Sequence, residues 1–278
     1  MKKLGLIYAL LALISGSILQ SCNKEESSSD GSSGGGAVTV NDACRLTSFN
    51  VAFMGETSSE ILEYNALNQL VTINSQDPDG QTKTVLTYNS NGLIASIGEY
   101  NNDTLNSYKE YEYENKTLIK EIEYSVIDGV KMNVLFNSNY VYTGNNYVKN
   151  KYANWGQGPV LLNYANYFRD NKGNITKVES YSRNTMDSTV TLISTETYTY
   201  SNVISNKGLN WIFNSEIEYL NSVNLPSQNV STYQGMSGPE TSTVNFNWTN
   251  LNPKGYPQSV SASSGTFNVQ GTLAYTCD

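Results

Sequence analysis

Over most of the chain, apolar and polar positions alternate residue by residue in short runs broken by Asn, Asp, Gly and Ser, the two-residue period of half-buried β-strands. In LTYNSNGLIASI, residues 86–97, aliphatic and aromatic side chains flank Asn89, Ser90, Asn91 and Gly92, which accept turn and left-handed backbone. The reading is a β-hairpin, in which a four-residue loop sets Tyr88 opposite Leu93, Leu86 opposite Ala95 and Thr84 opposite Ile97. Similar wording recurs at residues 62–73 (LEYNALNQLVTI), 111–122 (YEYENKTLIKEI), 140–151 (YVYTGNNYVKNK) and 167–178 (YFRDNKGNITKV), more loosely at 198–209 and 246–257, and as the terminal fragment LAYTCD. The anchors Tyr64, Tyr88, Tyr113, Tyr142 and Phe168 lie 24 to 29 residues apart, the length of two strands and two turns.

In the third unit this register pairs Tyr113 with Leu118 and Tyr111 with Lys120, and carries Ile122 and Tyr124 on that face. Glu110, Glu112, Glu121 and Glu123 then share the other face, wet where the first is packed. Each anchor tyrosine supplies a cross-strand contact worth roughly 0.2–1 kcal/mol, its hydroxyl reaching water. The functional alternative is a row of rings that stacks on sugars or other flat ligands.

One stretch breaks the rhythm. Between Tyr200 and Trp248, Leu209, Ile212, Phe213, Glu216, Ile217 and Leu220 fall at helical spacing, with Asn210, Asn214, Ser215 and Glu218 opposite. The spacing predicts a short amphipathic helix ending before Pro226, its apolar face plugging the hollow of a curved sheet.

Composition agrees with strands and turns: charge is low, Tyr, Asn, Ser, Thr and Val are abundant, and there are 21 tyrosines. The beginning of the chain has a different character. Lys2 and Lys3 precede an apolar run from Leu4 to Leu19, too short to span a bilayer comfortably and suited to a secretory signal. Leu19-Gln20-Ser21-Cys22 resembles a bacterial lipobox, which implies cleavage after residue 21 and lipid attachment at Cys22. Residues 22–43 are Ser/Gly-rich and read as a flexible tether with a reach of about 25 Å. Acidic residues soon after Cys22 resemble surface-export signals of Bacteroidota lipoproteins, and Asn23 is not the aspartate of inner-membrane retention. The expected location is the outer membrane, by lipid anchor, at the cell surface or on the periplasmic face. Removing residues 1–21 takes two lysines and no acids, moving the formal charge from -8 to -10, which argues against a nucleic-acid partner.

With Cys22 lipidated, Cys44 and Cys277 remain, and an oxidising envelope favours a disulfide between them. That bond makes the first and last strands neighbours. The fold class is therefore all-β: over residues 44–278, an antiparallel β-meander of repeated hairpins curled into a barrel or barrel-like sheet, with one short amphipathic helix.

The lipobox, CRLTSF at 44–49, the Tyr-turn-Leu/Ile repeats, the GLNWIF and NLPS interruption and the closing AYTC together resemble a family of Bacteroidota lipoproteins. That family carries a domain of unknown function with a porin-like fold and is distantly similar to tyrosine-aspartate repeat proteins. The resemblance implies fold and location and no established activity.

The sequence has no histidine, which removes the usual general base and His metal sites, and GSSGGG reads as linker rather than a phosphate loop. Glu110 opposite Glu121, with Glu112 and Glu123 nearby, offers a weak Ca²⁺ site or a glycosidase-like acid pair, set against a solvated charged face. Asp77-Pro78-Asp79-Gly80 reads as a turn before a calcium loop. No cofactor or metal and no enzymatic activity is expected. The favoured function is a non-catalytic lipoprotein that binds a glycan, lipid or protein partner. The alternative is a carrier of a lipid or other apolar ligand in the concavity of the sheet.

Overall fold

The computed structural model describes residues 44–277 apart from 79, 155–157, 215–216, 220–221, 236–237 and 266. The signal segment, Cys22 and the tether lie outside the described residues. The strands are β1 (Cys44–Phe53), β2 (Glu56–Tyr64), β3 (Leu70–Asp77), β4 (Gly80–Tyr88), β5 (Ile94–Asn101), β6 (Thr104–Glu114), β7 (Thr117–Ile127) and β8 (Val130–Thr143). They continue as β9 (Asn146–Asn154), β10 (Pro159–Arg169), β11 (Ile175–Arg183), β12 (Val190–Ile204), β13 (Asn224–Gly235), β14 (Gly238–Leu251), β15 (Pro257–Ser264) and β16 (Phe267–Cys277). Each pairs antiparallel with its chain neighbours, and β1 pairs with β16, closing a barrel of sixteen strands without a free edge. Cys44 lies opposite Cys277 in that seam, and the two form a disulfide with Cα atoms 4.1 Å apart.

The disulfide end of the barrel carries the repeated loops. Asn65, Asn89, Asp170 and Asn252 each donate the backbone N–H to the carbonyl four residues on. The side-chain Oδ1 of each accepts from the N–H groups two and four residues on. Such Asx loops close only if the fourth residue is left-handed, and Asn68, Gly92, Gly173 and Gly255 occupy that place with φ of 59° to 89°.

A bulge follows the loop in each of several units, and it corrects the sequence register. Between Thr87 and Tyr88, and between Glu112 and Tyr113, the pairing slips by one residue. Tyr88 therefore faces Ile94, Leu86 faces Ile97 and Thr84 faces Glu99. Tyr113 does face Leu118, but Tyr111 faces Glu121 rather than Lys120, and Glu110 faces Ile122. Because side chains alternate, one extra residue turns Glu121 and Glu123 toward the lumen while Glu110 and Glu112 stay outside. Phe168 is also outward, over Lys177, and Arg169 takes the inward anchor place.

The interruption between β12 and β13 contains a helix, α1 (Lys207–Asn214), and a 3-10 turn (Ile217–Tyr219). Asn206 caps α1 by accepting from Leu209 N–H at 2.9 Å, and its own amide donates to the Cys44 carbonyl at 3.0 Å. The predicted polar face is not wet: Asn210 and Glu218 are buried, and Pro226 lies within β13. Asn210 bridges the excursion by donating to Ser222 O and accepting from Ser205 Oγ.

Candidate functional site

Sixteen-stranded porins enclose a water channel. Here one end of the lumen is filled. Leu209, Ile212 and Phe213 of α1 are at most 4% exposed and pack on inward residues of β1, β2 and β14. The Phe213 ring lies 5.5 Å from Phe49 and 4.8 Å, edge-on, from Trp248. Close approach depends on Gly208, where a Cβ would sit 2.7 Å from the Tyr64 hydroxyl and 3.1 Å from Leu46 Cβ.

The anchor aromatics close the same end from the wall. Tyr64 donates to Leu46 O at 2.9 Å, Tyr88 to Leu70 O at 2.7 Å, Tyr200 to Ile175 O at 2.7 Å and Trp248 Nε1 to Pro226 O at 2.6 Å. These three hydroxyls and the indole N–H serve neighbouring segments rather than water, and the inward rings offer no stacking row to an external ligand.

Opposite the apolar plug, the wall holds the 3-10 turn by charge. Glu218 accepts from Lys149 Nζ at 2.7 Å and from the Tyr140 hydroxyl at 2.8 Å, and Lys149 lies 3.4 Å from Glu121. Arg169 donates to the Glu218 carbonyl at 2.9 Å and lies 5.0 Å from the Tyr147 ring, itself stacked on Tyr167. Burial raises the Glu218 carboxyl, but the charge of Lys149 and the hydrogen bonds from Lys149 and Tyr140 outweigh it and hold the acid ionised. Burial first, then the charges of Glu218 and Glu121, push the Tyr140 and Tyr111 hydroxyls well up. Sequence reasoning missed this network. Its signal is the spacing itself: Glu121 and Glu123 on β7 meet Lys149 and Lys151 on β9, with Glu123 2.9 Å from Lys151.

The four glutamates thus do not form one site. On the outer face Glu110 pairs with Lys131 and accepts from Tyr124, and Glu112 pairs with Lys120 at 2.8 Å. The postulated acid pair is divided by the wall of the barrel. Among the described residues no group of three or more Cys, Asp or Glu is placed to hold a metal ion. Two further lumenal acids stand apart. Burial pushes Glu60 up to about 8 against a hydrogen bond from Ser75, and pushes Glu196 up to about 7 against one from Tyr198.

Outside, the wall is polar along β14 and β16, whereas β8 exposes Val130, Met132, Leu135 and Val141 and β2 exposes Ile61. On β14 exposed Asn245, Asn247 and Thr249 alternate with buried Val244, Phe246 and Trp248. On β16 exposed Asn268, Gln270 and Thr272 alternate with buried Val269, Gly271 and Leu273. A concavity of about 890 Å³ opens on this outer face across β1, β2, β14, β15 and β16, with Asp77 and Pro78 at its rim. Gly271 explains the dish: a Cβ there would lie 2.6 Å from Phe49 Cε2 and 3.0 Å from Val260 Cγ1, so the bare backbone lets the wall settle onto the core.

Fold and surface together define a closed antiparallel barrel with a filled end and an outer face that is polar along β14 and β16. It is similar in fold to a porin-like protein from Bacteroides vulgatus, at 16% identity and a TM-score of 0.55 over 83% of this chain and 98% of that one. A porin-like protein from Bacteroides uniformis aligns at 10% identity and a TM-score of 0.44 over 83% and 98%. A protein of unknown function from Bacteroides fragilis aligns at 11% identity and 0.28 over 50% and 89%. No protein-family model and no curated protein matches the sequence.

Proposed function

We propose that this chain is a non-catalytic lipoprotein of the outer membrane, anchored through Cys22, displayed at the cell surface and binding a glycan, lipid or protein partner by its outer wall and loops. The observation that carries the reading is the polarity of the wall along β14 and β16, which interrupts any apolar belt around the barrel. A barrel that spans a bilayer needs an outward apolar band about 25 Å tall. The exposed rows of β14 and β16 instead present Asn, Gln and Thr, groups that need water. No described helix is long and apolar enough to cross a membrane either. The lipobox-like Leu19-Gln20-Ser21-Cys22 supports attachment through a lipid at Cys22. The carrier alternative is less favoured, because α1 fills the space in which an apolar ligand would lie.

Protease treatment of intact cells, paired with fractionation of a Cys22→Ser variant, tests this. The native chain is expected in the outer-membrane fraction and open to protease, and the variant in the soluble fraction. Protection until cells are broken puts the barrel on the periplasmic face. Retention of Cys22→Ser in membranes means that the strands themselves are inserted.

A further inference from the structure

We infer that the dished outer wall is a binding site for a neutral, linear oligosaccharide, a proposal that rests on the surface-binder reading and names its ligand class. The strand register builds the site. Thr249, Ser259, Thr272, Asn50, Ser59 and Gln76 lie directly opposite one another in turn on β14, β15, β16, β1, β2 and β3. They make one lateral row across six strands. Neighbouring strands are about 4.8 Å apart, so the row offers a hydrogen-bonding side chain at each step of about 4.8 Å along a length of roughly 24 Å. That step is close to the length of one sugar ring. Ser261, Gln270, Ala52 and Thr57 form a second row beside it within the same concavity, polar except at Ala52.

Ser259 accepts from Asn250, and Gln76 bonds with Gln81 and the Asp77 and Gly80 carbonyls, but the other polar groups of these rows are uncommitted. Asn50, Thr57, Ser59, Thr249, Ser261, Gln270 and Thr272 make no side-chain hydrogen bond with another described residue. Elsewhere outer polar groups satisfy one another across strands: Thr232 with Thr241 at 3.0 Å, Gln228 with Asn245 at 2.9 Å and Thr87 with Ser96 at 2.7 Å. Hydroxyls and carboxamides that donate and accept, left free on a concave face, fit a ligand dense in hydroxyls that also do both. Among the described residues the lining holds no Lys or Arg and one carboxylate, Asp77, at the rim, so nothing there attracts a polyanion. It also lacks the exposed aromatic and aliphatic anchors of a protein interface.

Affinity gel electrophoresis of the folded barrel against dextran, mannan, xylan and soluble starch, with heparin and alginate as polyanionic controls, tests the site. At least one neutral polymer is expected to retard the native protein while the polyanions do not. Asn50→Ala combined with Thr272→Ala removes two central contacts and is expected to weaken retardation about 10-fold or more. Ser261→Arg, which adds bulk to the dish, acts in the same direction, whereas Asn139→Ala, outside the concavity, leaves retardation unchanged. Both target residues of the double variant are exposed, and an unchanged circular dichroism spectrum and Tm verify the fold. Failure to bind any neutral polymer, retardation by polyanions alone, or retardation indifferent to the double variant and to Ser261→Arg overturns the inference. Surface display, read separately by protease treatment, stands or falls on its own result.

Discussion

The anchor tyrosine shows how one residue links hairpins. The Tyr64 ring is packed at the plug end, and its hydroxyl satisfies Leu46 O on the adjoining β1. Tyr64→Phe keeps the ring and strands that carbonyl, so thermal denaturation should show a loss of about 1–3 kcal/mol, as it should for Tyr88→Phe and Tyr200→Phe. Lys149 is a harsher test. Lys149→Met leaves Glu121 and Glu218 buried without their cation, and the expected loss is about 3–5 kcal/mol. If the pair instead contributes only packing, Lys149→Met will be nearly silent. The anchor positions were legible from their spacing; the fate of their hydroxyls was not. An acceptor some eighteen residues away in the chain, as Leu46 is from Tyr64 and Leu70 from Tyr88, leaves no local mark in the sequence.

At the scale of elements, hairpins, turns and the position of the helix followed from periodicity and turn chemistry. Asn89 through Gly92 announce a loop because only such residues supply the Asx acceptor and the left-handed corner. The register past each loop did not follow, since a single bulged residue moves every later side chain to the other face. That is why Lys120 was placed inside and Glu121 outside, when the reverse holds. The helical stretch was misjudged in two respects: α1 ends at Asn214 and Ile217–Tyr219 form a 3-10 turn, and inside a barrel there is no wet face, so Asn210 and Glu218 are buried and satisfied by partners on other segments. The seating of α1 gives a direct prediction. Gly208→Ala forces a Cβ against the Tyr64 hydroxyl and Leu46, and should lower stability by about 1–3 kcal/mol in chemical denaturation. In an exposed helix the same change would be stabilising.

The whole molecule is closed by hydrogen bonds along the β1–β16 seam and by the disulfide across it. A chain-entropy model gives about 5 kcal/mol for so long a loop. Paired Cys44→Ser and Cys277→Ser are expected to lower the denaturation midpoint without changing strand content, because the ladder that closes the barrel remains. The lumenal acids set the pH dependence. Folding raises Glu60 from 4.5 to about 8 and Glu196 from 4.5 to about 7. The folded state thus holds these protons more tightly, and the stability they contribute is present below pH about 4.5 and lost as pH rises toward 8. Glu218, Glu110 and Glu179 are shifted the other way, so their contribution is lost in acid. Stability should peak on the mildly acidic side of neutrality, and Glu60→Gln should flatten the decline in Tm between pH 5 and 8. A decline unchanged by Glu60→Gln assigns it to another group.

The proposed function requires that the sixteen strands stand in water while a lipid at Cys22 holds them at a membrane. Its most direct measurement is the partition of the chain from residue 23 onward between detergent-free buffer and liposomes. A folded, strand-rich, detergent-free species that floats with no vesicles is expected; a chain that stays folded only in micelles, or that co-floats with liposomes, rules the proposal out.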